Sequence, residues 1–145
     1  PHKEAVIPLM TDMSAGASAI GAVNTIIVTE TGLRGENTDH IGFLAPLRPF
    51  LLRRPVRSAL ILGAGGAARS VLYALSGIAG MERVQICTRT EKRAHLLIDS
   101  IAVGDVPVVT TAWDHRHTAA TSVDLVVNTT PVGMWPHLSL SPLSD

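Results

Sequence analysis

Ser58-Ala59-Leu60-Ile61-Leu62-Gly63-Ala64-Gly65-Gly66-Ala67-Ala68-Arg69 is the stretch on which the reading of this chain turns. A short apolar run stops at glycines, and an apolar, helix-favouring segment from Ser70 to Leu75 follows. That is the strand–turn–helix entry of a dinucleotide-binding unit. Gly63 permits the tight turn, Gly65 lets the backbone approach a pyrophosphate, and Ala68 is small enough for helix and strand to pack closely. The helix N-terminus then offers unpaired N–H groups and a positive dipole end to phosphates. Gly63, Ala64, Gly65, Gly66, Ala67 and Ala68 are therefore the candidate cofactor turn.

Downstream, strand and helix patterns alternate. Ser58–Leu62, Arg83–Cys87, Val106–Thr110 and Asp124–Val127 read as strands. Ala67–Ile78 and Glu91–Ile101 read as helices, and Asp114–Thr121 as a short one. Such alternation implies right-handed crossovers and a parallel sheet, a Rossmann-like α/β fold. An NAD-preferring site puts an acid at the tip of the second strand, about twenty residues past the glycines. Here the tip reads Cys87-Thr88-Arg89-Thr90-Glu91-Lys92-Arg93, with no acid before Glu91. Arg89, with Arg93 one helical turn on, suits a 2′-phosphate, so NADP is expected over NAD; ordinary surface arginines are the plainer alternative. The fourth strand ends in Asn128-Thr129-Thr130-Pro131-Val132-Gly133-Met134. This turn either borders the nicotinamide or is a turn and nothing more.

Upstream, His2 to Met10 begins as a helix that Pro8 interrupts, and Ser14 caps a second helix ending at Ile20. Gly21–Thr29 is a strand, Glu30-Thr31-Gly32 a turn, and Leu33–Asn37 a returning strand. Taken singly, Asp39 reads as a helix cap, Lys3 as a surface lysine and Asn24 as a strand-edge turn residue. Pro46, Pro49 and Pro55 limit any helix over 46–57, where the domain boundary falls. Residues 1–50 form part of one α/β domain and 51–145 a dinucleotide-binding domain.

The chain has 145 residues, 46% of them hydrophobic but only 3% aromatic, so its core is aliphatic. Twelve basic and twelve acidic residues cancel, which offers nothing to nucleic acid or a membrane surface. No apolar run reaches transmembrane length and no signal peptide is evident; with Cys87 the single cysteine, a reducing, cytoplasmic setting is expected. His115 and His117 lack a third ligand at metal spacing. Starting at Pro1 and ending on Asp145 after a Pro-rich stretch, the sequence reads as a fragment of a larger polypeptide.

Read together and in order, these motifs resemble one family. They are Pro1-His2-Lys3, Gly21-Ala22-Val23-Asn24-Thr25, Asn37-Thr38-Asp39 with Gly42, Gly63–Ala68, Arg89-Thr90, and Asn128-Thr129-Thr130-Pro131 with Gly133-Met134. The chain is similar to shikimate dehydrogenases, including their quinate-using relatives. The resemblance implies a partial substrate domain before an NADP domain, and reversible reduction of 3-dehydroshikimate to shikimate by NADPH. It implies that Lys3 and Asp39 are a catalytic acid–base dyad and that Asn24 binds substrate beside them. It also implies that Arg89, Thr90 and Arg93 take the 2′-phosphate and that Asn128 and Thr129 border the cofactor. His2 and Thr88 depart from the family's usual residues. The family's substrate-carboxylate serine motif and its C-terminal glutamine fall outside this stretch, so the fragment alone is expected to be inactive. A metabolite-sensing regulator of the same fold is the competing reading.

Overall fold

The computed structural model describes residues 2–143; Pro1 of the Pro1-His2-Lys3 motif lies outside the described residues. Two sheets share the chain. The first has the order β1-β3-β2, built from β1 (Asp12–Met13), β2 (Thr25–Thr29) and β3 (Gly32–Glu36). β2 and β3 are the expected hairpin, antiparallel from Thr25 opposite Glu36 to Thr29 opposite Gly32. Between β1 and β2 lies α1 (Ala15–Ile20), whose N-cap Ser14 accepts a hydrogen bond from the Ala17 N–H at 3.2 Å. Gly21 closes that helix, so the following strand starts at Thr25 rather than at Gly21.

The N-terminal helix expected over His2–Met10 is absent; turns and one 3₁₀ turn over Ile7–Leu9 stand there instead. The Lys3 carbonyl shows why. It accepts from the Val23 N–H at 2.8 Å, so it is tied to a distant segment rather than to a helical donor. A second departure concerns α2 (Asp39–Leu51), which runs straight through Pro46 and Pro49. Each proline removes one intrahelical donor. The carbonyls left without it belong to Gly42 and Ala45, both exposed and open to water, while Phe43 on the inner side packs on the core. The connection before the second sheet is therefore shorter than expected, confined to residues 52–57.

The second sheet is wholly parallel, in the order β6-β5-β4-β7: β4 (Ser58–Leu62), β5 (Arg83–Thr88), β6 (Val108–Ala112) and β7 (Leu125–Asn128). The crossovers carry α3 (Gly66–Ser76), α4 (Glu91–Asp99) and the short α5 (Arg116–Ala120). β6 starts two residues later than the sequence suggests, because Pro107 has no N–H for a ladder; its carbonyl accepts from Val84 N–H at 3.0 Å.

β4 is the spine of this sheet, and Ala59 to Leu62 are completely buried. Its side chains alternate between two cores, as a strand's period of two requires. Ala59 and Ile61 pack with Ala68, Leu72, Leu75 and Ala94 of α3 and α4, while Leu60 and Leu62 pack with Cys87 and Ala119 on the opposite face. Each buried Leu or Ile contributes about 1.5–3 kcal/mol relative to exposure, so the strand that leads into the glycine turn is the best-anchored element. Burial pushes the Cys87 thiol pKa up. Among the described residues no helix is long and apolar enough to cross a membrane.

Candidate active site

Lys3, Asn24 and Asp39 come from three separate segments and meet. The Lys3 ammonium forms an ion pair with Asp39 Oδ2. Asn24 Nδ2 donates to Asp39 Oδ1 at 2.7 Å and to Thr38 Oγ1 at 3.1 Å. Asn24 Oδ1 accepts from the Thr38 N–H at 3.1 Å and from Thr25 Oγ1 at 3.0 Å. Asp39 is the first residue of α2 rather than its cap; the cap position is Thr38, whose side chain makes no capping bond. The carboxylate is thus spent on Lys3 and Asn24. The Lys3 and Asp39 side chains keep 28% and 36% of their surface, so the pair is half-buried yet accessible from outside.

The glycine turn lies beside this pair. Gly63 has φ +108°, a conformation closed to other residues without strain, and its N–H donates to the Cys87 carbonyl at 2.8 Å. A Cβ there would lie 2.7 Å from Thr129 Oγ1, which itself donates to the Leu62 carbonyl at 2.7 Å. Gly65 precedes α3 with no side-chain capping bond, and a Cβ built on it meets nothing within 4 Å. The helix start is therefore open to an incoming anion. A Cβ at Gly66 would touch the Lys3 side chain, 3.5 Å from its Cδ, so lysine and turn are immediate neighbours. Arg69, one turn on, binds the Ile20 carbonyl at 3.1 Å, Ser100 Oγ at 2.8 Å and the Glu4 carboxylate at 3.3 Å.

Beyond the turn a cleft of about 420 Å³ opens at the carboxyl ends of the parallel strands. Gly63, Ala64, Gly65, Arg89, Arg93 and Thr129 line it. Thr88 and Arg89 also line an adjoining cavity of about 570 Å³ between the ends of β5 and β6. Thr90 is the N-cap of α4 and lines neither cavity. Asn128 is used within its own turn: its Oδ1 accepts from Thr130 N–H at 2.9 Å and its Nδ2 donates to the Val132 carbonyl at 3.1 Å. It shapes the wall of the cleft without lining it.

No protein-family model matches the sequence. Individual proteins match it throughout. The shikimate dehydrogenase (NADP(+)) of Thermosynechococcus vestitus is 40% identical, over 99% of this chain and 49% of that protein. The shikimate 5-dehydrogenase of Thermus thermophilus, solved with NADP(H) and shikimate, superposes with a TM-score of 0.78 at 38% identity, covering 99% of this chain and 50% of that one. Over its length the chain is similar to shikimate dehydrogenases. The quinate dehydrogenase of Corynebacterium glutamicum, solved with NAD, is likewise similar, with a TM-score of 0.83 at 37% identity over 94% of this chain and 49% of that one. The chain spans about half the length of the curated relatives it matches.

The structure also adds residues that motif reading passed over. Trp113 lines both cavities, and Arg116 lies over its ring at 5.0 Å while donating to the Pro142 carbonyl at 2.7 Å. An aromatic residue directly after a strand of a parallel sheet was the available signal. Among the described residues no group of three or more His, Cys, Asp or Glu side chains could hold a metal ion.

Proposed function

We propose that the protein carrying this chain reversibly reduces 3-dehydroshikimate to shikimate with NADPH. The observation that carries this reading is the Lys3–Asp39–Asn24 constellation set against Gly66 of the glycine turn. Proton-transfer groups and a dinucleotide-type turn would have little reason to adjoin unless a ketone or alcohol reacted between them. A sensor of the same fold has no need of an acid–base pair, which favours the enzyme over the regulator.

The residues fit the cofactor. The open approach at Gly65, the uncapped start of α3 and the arginines Arg89 and Arg93 suit pyrophosphate and 2′-phosphate. We assign the pyrophosphate to Gly63–Ala68, the 2′-phosphate to Arg89, Thr90 and Arg93, and the nicotinamide side of the cleft to the turn at Asn128 and Thr129. Bound nicotinamide supplies or accepts the hydride. Lys3 then donates the proton to the carbonyl oxygen, or takes it from the hydroxyl, and Asp39 holds the ammonium in place. Asn24 binds a substrate hydroxyl by exchanging its longer bond to Thr38 Oγ1 while keeping its 2.7 Å bond to Asp39. General acid–base catalysis of this kind contributes roughly 10²–10⁴-fold. We divide the chain into residues 1–50 on the substrate side and 51–145 on the cofactor side.

Quinate is the second reading, favoured by the likeness to the C. glutamicum quinate dehydrogenase. The decisive assay uses the full-length polypeptide and follows nicotinamide reduction with shikimate and quinate, each with NAD⁺ and NADP⁺. Turnover of shikimate with NADP⁺ is expected. Turnover only with NAD⁺ would remove Arg89 from its role, and binding of either acid without turnover would favour the regulator.

A further inference from the structure

Asn37 is the one side chain in the family motif stretch Asn37-Thr38-Asp39 that is fully buried, at 2% exposure. A buried carboxamide is costly unless satisfied, and this one is satisfied by partners on three different segments. Its Nδ2 donates to the Ala22 carbonyl at 3.0 Å, just before Asn24. Its Oδ1 accepts from the Asp39 N–H at 3.1 Å and from Ser70 Oγ at 3.2 Å. Ser70 is itself only 1% exposed and sits in α3, one turn beyond Gly66.

Residues four apart lie on one face of a helix. On this face of α3, Gly66 abuts the Lys3 side chain, and Ser70 grips the carboxamide that holds the Asp39 backbone. A serine inside a helix ordinarily turns its hydroxyl to solvent or to its own backbone; here it reaches across to another element. We propose that Asn37, through its bond to Ser70, is a positioning residue that keeps the Lys3–Asp39 pair in register with the cofactor turn. The inference rests on the reductase reading given above for the purpose of the pair. The geometric link itself does not.

Ser70→Ala in the full-length polypeptide removes the cross-element bond and leaves the Asn37–Asp39 turn intact. It should lower kcat about 10-fold, since small displacements of reacting groups are costly to rate. The substrate KM and the NADPH dissociation constant should stay within about 2-fold and the melting temperature within about 3 °C, because the residue contacts neither ligand under this reading. In parallel, hydrogen exchange at the Asp39 amide should quicken in the variant, with or without cofactor. A kcat equal to the parent's, or an unchanged Asp39 exchange rate, overturns the proposal. If the parent turns over neither acid, the reductase reading fails. The positioning role then stands or falls on the amide exchange alone.

Discussion

Substituting Gly63 by alanine tests the turn most directly, because strain and contact can be separated there. At φ +108° a residue with a Cβ is held in a sparsely populated region, at a cost of about 1–3 kcal/mol. The new methyl would lie 2.7 Å from Thr129 Oγ1 and 3.1 Å from Thr130 Cγ2, so Thr129 must move. Moving it endangers the 2.7 Å bond to the Leu62 carbonyl, worth about 0.5–1.5 kcal/mol. Gly63→Ala should therefore destabilise by about 1.5–4.5 kcal/mol, adding these two terms. Urea unfolding of the full-length polypeptide, followed by far-ultraviolet circular dichroism, measures the change. In a Thr129→Ala background the clash with Thr129 Oγ1 should vanish, while the Thr130 contact and the backbone strain remain, so the two substitutions should be non-additive. Gly65→Ala is the internal contrast: φ there is −106° and the Cβ enters open space. Its effect on stability should stay within about 1 kcal/mol, yet its methyl would stand where the pyrophosphate must approach, so NADPH affinity should fall sharply. A Gly63→Ala protein within about 0.5 kcal/mol of the parent, the size of an ordinary surface change, would refute the strain reasoning. A Gly65→Ala protein with intact NADPH affinity would refute the assignment of the turn.

Other outcomes follow from the same geometry. Lys3→Ala should lower kcat by roughly 10²–10⁴-fold while the NADPH dissociation constant, read by fluorescence titration, barely moves; equal loss of both would count against its role. Arg89→Ala should cost about 1.5–3 kcal/mol of NADP⁺ binding, the range for a hydrogen bond to a charged group, and leave NAD⁺ binding nearly untouched, as measured by calorimetry. Asp124 anchors the start of β4: its carboxylate accepts from the Arg57 and Ser58 N–H groups at 3.0 and 2.9 Å and from the Ser58 hydroxyl. The Arg57 backbone bond, then the Ser58 bonds, hold its pKa below the usual 3.8. A folded pKa below the unfolded one stabilises fully above 3.8 and loses that contribution as pH falls through the lower folded value. The stability gap between parent and Asp124→Asn in urea should accordingly be widest near neutrality and narrow below pH 3.8.

Much of the parallel half was legible because its signals are local. The run Ser58–Leu62 stands in the structure with those bounds, since an apolar run ended by glycines has few other outcomes in a parallel sheet. The hairpin from Thr25 to Glu36 and the Ser14 cap were equally local. What sequence could not reveal depends on distant partners. The Lys3 carbonyl is claimed by Val23, which cancels the N-terminal helix. The exposure of Gly42 and Ala45 lets α2 continue through two prolines that propensity alone would use to stop it. Lys3, Asn24 and Asp39, singly unremarkable, were joined by family resemblance, and the structure places them within hydrogen-bonding distance. Ser70 carried no signal at all: a serine in an Ala-rich helix reads as filler until its partner across the interface is known.

That single face of α3 also bears on how the protein could be re-engineered. At about 1.5 Å of rise per residue, Gly66 and Ser70 are about 6 Å apart along the helix axis, a spacing that any insertion would break. One residue added in the first turn would rotate everything after it by about 100°, separating the contact with the lysine from the grip on the carboxamide. A cofactor loop transplanted from a dinucleotide enzyme would therefore need a small residue at 66 and serine at 70 in the same phase, whatever its preference between NAD and NADP. If the 2′-phosphate is held as proposed by Arg89 and Arg93, nucleotide choice should be exchangeable as a module, whereas the first helical turn after the glycines is not.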